Sequence, residues 1–360
     1  MVRIHSYIGA IGFFPIASPR PRARLTRLSE TITITGGGLT GLSLAIALRK
    51  HGVAVALHEA GSYPRHRVCG EFISGVSRET LETLGIAETL ADAQLHRSVT
   101  WFSGNDHLRD NILPAPALAI SRYLLDDRLH KLATAIGVDL RTGSRRKMSP
   151  HAPGEIWTAG RKPAKGKWIG IKAHIRGISP KAQLEMHAGP RGYLGVTPVE
   201  DGWHNVCGLF RIDRQIAARH EDLLPAYLSE NGNTELAQRI AAAEWREGSF
   251  TAVAGFSLGL QAPTPGLLSL GDSHAIIPPF TGNGMTMAFQ SAETALPHLI
   301  AYANGTRTWP EVCEAIQRQL AKRFTKRLTS AKLLHPLLFH PAARPLLKHA
   351  PLRPILSLVR

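Results

Sequence analysis

The chain has 360 residues, 44% of them hydrophobic, enough to bury a large core in two lobes of one compact unit. It carries 43 Lys and Arg against 27 Asp and Glu, a net charge of +16, but residues 1–30 and 315–360 hold nearly all of the excess and 31–314 is close to neutral. The basicity therefore belongs to two ends and excludes a nucleic-acid-binding body, since no aromatic-interleaved basic face or zinc-finger spacing accompanies it.

Those ends read as solvated tails, or as a surface that meets anionic lipid. Residues 1–29 read as a basic, disordered extension or an upstream start that the fold does not need: Ser6 to Ala17 is apolar, but it contains Pro15 and lacks a small-x-small cleavage site. Nothing approaches the roughly 20 apolar residues of a membrane span. Cys69, Cys207 and Cys313 are odd in number and far apart, so neither a disulfide framework nor a metal cluster follows, and a reducing cytosol is the expected compartment.

In chain order, Thr31 to Thr35 is a β-branched run that reads as a buried strand. Gly36, Gly38 and Gly41 supply a G-x-G-x-x-G spacing, Leu42 to Arg49 fits a helix ended by Gly52, and Val53 to Leu57 makes a second strand closing on Glu59. The first glycine permits a tight turn, the second a close backbone approach to a pyrophosphate, the third close packing of helix on strand. Free N–H groups at the helix start favour phosphate, and Glu59 stands where an acid accepts hydrogen bonds from a ribose. This unit predicts an adenine dinucleotide.

Next comes a loop, Arg65-His-Arg67-Val-Cys69-Gly70-Glu71, then helical spacing over 78–84 and 86–95 and a strand over Ser98–Phe102. A polar stretch follows, and Arg122 opens a helix running to about Ile136, with a strand over Val138–Arg141. Strand patterns over 167–174, 183–187, 192–196, 204–212 and 249–253, with helices over 216–228 and 234–243, describe a sheet-rich lobe inserted into the nucleotide domain. Gly266 to Gly271-Asp272 returns to the first domain. It leads through Pro278-Pro279 and Gly282-Asn283-Gly284-Met285 into a helix to about Tyr302, and 309–328 is another helix. The expected division is 30–97, 121–164 and 256–305 for the nucleotide domain, 98–120 and 165–255 for the sheet, and 306–360 for a basic helical end.

Three blocks carry a resemblance: the glycine-rich unit ending at Glu59, Arg122 opening its helix, and the Gly271–Met285 block. The chain resembles the para-hydroxybenzoate-hydroxylase-type FAD superfamily, which includes single-component aromatic monooxygenases, geranylgeranyl reductases and flavin halogenases. The resemblance implies an α/β fold: a Rossmann-like FAD domain (GR2 type), an interleaved antiparallel substrate sheet and a helical C-terminus. It implies FAD as cofactor and NAD(P)H as a transient reductant. Glu59 would hold the AMP ribose, Asp272 a ribityl hydroxyl, and Arg67 and Arg122 the phosphate or ribityl region. Pro278 and the 282–285 loop would lie against the flavin, where a helix N-terminus stabilises the reduced anion.

The chain departs from the family at Thr158-Ala159-Gly160-Arg161, which lacks the usual Asp-Gly, and at Gly192–Pro198, which keeps Tyr193 and Pro198 but not the tryptophans of the halogenases. Cys69-Gly70-Glu71 is similar to a Cys-Gly-acid segment of prenyl reductases. That likeness makes Cys69 and Glu71 catalytic candidates, against the plainer readings of a small buried thiol and a solvated loop acid. The leading expectation is hydroxylation of an apolar aromatic or polyketide-like substrate. The alternatives are C=C reduction of an isoprenoid lipid and a flavin-binding protein without turnover. Residues 321–360 carry the expectation of peripheral contact with anionic membrane.

Overall fold

A computed structural model describes residues 30–161, 165–340 and 348; the predicted extension 1–29 and most of the tail beyond 340 lie outside them. The chain starts with β1 (Ile32–Thr35), α1 (Leu39–Lys50) and β2 (Val55–His58). Then follow β3 (Phe72–Ile73), α2 (Arg78–Thr83), β4 (Gln94–Ser103), β5 (Asp106–Ala119), α3 (Arg122–Ala135), β6 (Asp139–Arg141) and β7 (Glu155–Trp157). The middle of the chain gives β8 (Trp168–Arg176), β9 (Glu185–Gly189), β10 (Gly192–Pro198), β11 (His204–Arg211), α4 (Leu223–Glu230), α5 (Thr234–Ala241), β12 (Glu244–Trp245) and β13 (Thr251–Phe256). The end adds β14 (Gly259–Leu260), β15 (Leu268–Ser269), β16 (Ala275–Ile276), α6 (Gly284–Ala303) and α7 (Trp309–Leu334).

Two sheets divide the work. The first is parallel and five-stranded, in the order β15-β7-β1-β2-β6. Its helix α1 is buried from Leu39 to Leu48 because α3 and α6 pack on it as well as the strands β1 and β2. A run of Leu, Ile and Ala without polar interruption is the sequence of such a sandwiched helix. The second sheet runs β12-β8-β11-β10-β9-β4-β5-β3, with β13 added on β8. One face of β8, β10 and β11 (Ile171, Ala173, Ile175, Leu194, Val196, Val206, Phe210) buries against α4 and α5. Period-two alternation puts Lys172, His174, Asn205 and Cys207 on the other face, toward the first domain.

Three local expectations were wrong. The predicted helix over 86–95 is a short 3-10 turn, Ala87–Leu90, and β4 begins at Gln94, four residues before the expected strand. The polar stretch after Phe102 is the long strand β5. Pairing with β4 skips from Ile112 to Ala117, so Pro114 and Pro116 fall in a bulge that needs no N–H from them. The helix over 216–228 starts only at Leu223, after His220 takes a φ of 51°. At the C-terminus, a capping box between Thr308 and Glu311 starts α7, which runs to Leu334, just before His335-Pro336.

Candidate functional site

The glycine-rich turn between β1 and α1 shows a distinct task at each position. Gly36 has a φ of 114°, and a Cβ there would lie 2.5 Å from the backbone of Ala159. A Cβ on Gly41 would meet the Gly36 carbonyl at 2.0 Å. Both are close approaches of backbone to backbone. At Gly38 a Cβ would meet nothing within 4 Å, so this position faces open space. Behind the turn, Thr158 Oγ1 donates to the Gly36 carbonyl at 2.7 Å and Tyr63 Oη to the Gly37 carbonyl at 2.6 Å.

Glu59 is 4% exposed and stands at the end of β2. Its Oε2 accepts from Gly37 N at 2.8 Å; its Oε1 accepts from Gly61 N at 2.8 Å and Arg65 Nη2 at 2.7 Å. Burial pushes its pKa up, but the two amides together with Arg65 and Arg67 outweigh that and hold it below the usual carboxylate value. Oε1 is fully occupied, and Oε2 keeps a lone pair for one further donor.

The returning segment meets this turn. A Cβ on Gly271 would strike Thr40 Oγ1 at 2.3 Å, and Thr40 Oγ1 donates to the Ala288 carbonyl at 3.2 Å. Gly271 N donates to Ser291 Oγ at 3.0 Å, and Ser273 Oγ to the Gly160 carbonyl at 2.7 Å. Asp272 is exposed by surface area, yet burial raises its pKa while Arg122, Arg161 and Arg67 pull it back. A carboxyl that is both reachable and hemmed in lies on the floor of an open cleft.

The start of α6 lines the same cleft. Pro278 and Met285 are buried, Gly282 turns with a φ of 66°, and Gly284 is exposed with no atom within 4 Å of a Cβ. No side chain caps the helix: Asn283 Nδ2 donates to the Thr281 carbonyl at 2.8 Å, and its fully buried Oδ1 has no partner. An uncapped N-terminus beside an orphaned acceptor is a ready site for a polar ring edge.

Arg122 Nε and Nη2 donate to the two oxygens of Asp126 at 2.7 and 2.8 Å, and Arg67 Nε donates to Asp126 Oδ2 at 2.9 Å. Asp126 is fully buried and fixes both guanidinium groups. The Cys69 Sγ accepts the Glu71 N–H at 3.4 Å, and the charge of Arg122 lowers the thiol's pKa. Burial raises the Cys69 pKa, so the group is a thiol.

Glu71 is not a solvated loop acid. It is 0% exposed with a φ of 53°, a strained position for a residue with a side chain. Its Oε2 meets His174 Nε2 at 2.6 Å, while Oε1 meets Lys172 Nζ at 3.3 Å and accepts from Arg122 N at 3.0 Å. Burial pushes Glu71 up, but Lys172 and His174 outweigh it and hold it below the ordinary value. Tyr193 lies elsewhere on the sheet, its Oη accepting from Phe280 N at 3.1 Å. Its ring sits among Phe280, Trp168, His335 and Phe339, so the C-terminal turn His335–Phe339 packs into an aromatic cluster next to the 278–285 loop.

Together the open space at Gly38, the spare lone pair of Glu59, the reachable Asp272 and the uncapped α6 fit an extended dinucleotide with a flavin ring at the α6 end. In fold the chain is similar to FAD-dependent oxidoreductases. Residues 16–113 match the pyridine nucleotide-disulphide oxidoreductase family. The chain is 22% identical to Menaquinone reductase of Mycobacterium tuberculosis (strain ATCC 25618 / H37Rv), covering 88% of this chain and 86% of that protein. It is 37% identical to YetM of Bacillus subtilis (strain 168), named "Putative FAD-dependent monooxygenase", over 31% of this chain and 32% of YetM. In structure it is similar to the flavin-dependent brominase Bmp2, with a TM-score of 0.72, 18% identity and coverage of 92% and 93%.

Sequence reasoning missed His66, Asp126, Lys172 and His174. The alternation of β8 was visible, but only the tertiary fold shows that its polar face is buried against the Cys69–Glu71 turn.

Proposed function

We propose that this protein binds FAD along the cleft, takes reducing equivalents from NAD(P)H, and hydroxylates an apolar, ring-bearing substrate beside the Trp168–Tyr193–Phe280 cluster. The observation that carries the reading is the meeting of the Gly36–Gly41 turn with the Gly271–Ala288 segment beside that cluster. Bound flavin supplies hydride transfer and oxygen activation. The chain's own part is to hold the phosphates at Gly38 and α1, the ribose at Glu59, the ribityl chain at Asp272 and the ring edge at α6. Tyr193, Phe280 and Phe339 exclude water from the reacting centre.

A second reading, C=C reduction of an isoprenoid lipid, is favoured by the near full-length similarity to a protein named Menaquinone reductase. Cys69 would be its proton donor, with Arg122 and the Glu71 N–H stabilising the thiolate left behind. Oxygen uptake separates the two: substrate-dependent oxygen consumption matched to product supports hydroxylation, and turnover under strict anaerobiosis supports reduction. A purified protein that is yellow but never bleached by NAD(P)H would sink both.

We also propose weak contact with anionic membrane through the outer face of α7, where Leu333 is 71% exposed beside Lys332. No helix among the described residues is long and apolar enough to cross a membrane.

A further inference from the structure

A surface hollow of about 430 Å³ is lined by Arg65 and His66 of the loop after β2, Tyr123 of α3, and Arg246, Glu247 and Phe250 of the segment between β12 and β13. Two contacts place it against the cleft. Arg65 Nη2 donates to Glu59 Oε1 at 2.7 Å, so the hollow shares a side chain with the ribose end of the cleft. His66 Nδ1 lies 2.9 Å from Lys172 Nζ, which lies 3.3 Å from Glu71 Oε1, so buried Lys172 and Glu71 stand behind it.

We propose that this hollow holds the phosphoadenosine end of NADPH, with Arg246 on the 2′-phosphate and the base on Phe250. The inference rests on the reading that a nicotinamide dinucleotide reduces the flavin.

Arg246 carries the argument. Its guanidinium lies 5.0 Å from the centre of the Tyr123 ring and 5.7 Å from that of Trp203, yet it makes no side-chain hydrogen bond or ion pair among the described residues. Arg176 is the contrast: it also lies over Trp203, at 4.6 Å, but its Nε donates to Glu244 at 2.7 Å. A guanidinium held against two rings with its N–H donors unspent is preorganised for a phosphate.

The other walls suit the rest of the ligand. Tyr123 also stacks on His66, with ring centroids 4.6 Å apart, so one ring positions both polar groups. Burial, then the Lys172 charge, holds His66 down to about 3, so the imidazole is neutral. With Lys172 donating to Nδ1, its proton sits on Nε2, a donor for a phosphate or ribose oxygen. Phe250 is half-buried against the α4–α5 core and keeps apolar surface for a purine face. Glu247 is exposed; it offers an acceptor to the adenine amino group and repels a bare anion.

Size and position agree. The volume of about 430 Å³ lies at the low end for small-ligand sites, room for part of a dinucleotide. Arg65 puts the hollow beside the adenosine end of the cleft. NADPH, a dinucleotide like FAD, has the length to reach the flavin from there with its nicotinamide.

Calorimetric titration of the FAD-loaded, full-length protein with adenosine 2′,5′-bisphosphate reads the site without turnover. Adenosine 5′-monophosphate should bind at least about tenfold more weakly, and Arg246→Ala should erase that difference. With NADPH as reductant, Arg246→Ala should raise KM at least about tenfold, while KM for NADH moves less than about threefold. Arg246→Gln keeps much of the stem and loses the charge. It should behave as the alanine variant does, and it decides the matter if that variant does not fold. Equal affinity for the bisphosphate in wild type and Arg246→Gln overturns the proposal, as does inorganic phosphate bound as tightly as the bisphosphate. The two readings fail separately. A wild-type flavoprotein that binds the bisphosphate through Arg246 but is never bleached by NADPH defeats the reductant role. Bleaching by NADPH with an unmoved KM in Arg246→Gln defeats the site alone.

Discussion

Gly38→Ser tests whether the cofactor runs where the geometry places it. Gly38 has a φ of −86° and ψ of −172°, an extended conformation that serine adopts without strain, and it is the N-cap residue of α1. Serine is a better N-cap than glycine by a few tenths of a kcal/mol, so the flavin-free protein should melt at or slightly above the wild-type temperature. The new side chain points into space with no protein atom within 4 Å. A phosphate oxygen accepting from the α1 amides must come to about 2.9 Å from those nitrogens, which brings it into the volume of the added Cβ and Oγ. A loss of at least about 100-fold in FAD affinity, or about 2.7 kcal/mol, is expected. Titration of flavin-free protein, followed by quenching of flavin fluorescence, measures it. The contrasting variant is Gly36→Ala, whose Cβ would lie 2.5 Å from Ala159 and which needs a φ of 114°; it should lose about 3 kcal/mol of stability whether or not FAD is present. Wild-type FAD affinity in a well-folded Gly38→Ser protein would falsify the placement of the pyrophosphate.

Glu71→Gln leaves the buried Lys172 without its carboxylate and should destabilise the fold by about 3–5 kcal/mol in chemical denaturation. Adding Lys172→Met should restore part of that, and a strictly additive double variant counts against their coupling. Glu185 is fully buried and takes hydrogen bonds from His187 at 2.8 Å, Arg239 at 3.2 Å and the Lys181 N–H. Burial pushes its pKa up, but these partners hold it down at about 2, below the 4.5 of the free side chain. Its contribution of about 3 kcal/mol is therefore complete above pH 5 and fades as pH falls toward 2, so Glu185→Gln should flatten the acid limb of the stability curve. Membrane contact is best tested by Leu333→Asp, since Phe324, Leu328 and Ala331 of α7 are core residues and deleting the helix end would unfold the protein. Pelleting with anionic vesicles should fall at least threefold, and equal pelleting of wild type and variant removes the proposal.

What could be read from the sequence is what local backbone demands. Gly36, Gly38 and Gly41 after a β-branched strand, and Glu59 at the next strand's end, fix a turn whose geometry depends on a few consecutive residues. Gly271-Asp272 and the 282–285 loop were singled out through the family resemblance rather than by local backbone demands. The inserted sheet was legible as strands, but the polar residues of 103–111 hid β5, whose register with β4 is set by tertiary pairing.

Tertiary structure alone decided the rest. Lys172 and His174 look like the solvent face of an alternating strand, and Glu71 looks like a loop acid. They become one buried cluster only because the second sheet turns its polar face onto the 66–71 segment. Asp126 likewise reads as a helix surface acid until α3 packs it beneath Arg67 and Arg122. The physical reason is range. Backbone conformation is set by near neighbours in the chain, whereas burial and ion pairing are set by whatever residue, a hundred positions away, excludes the water.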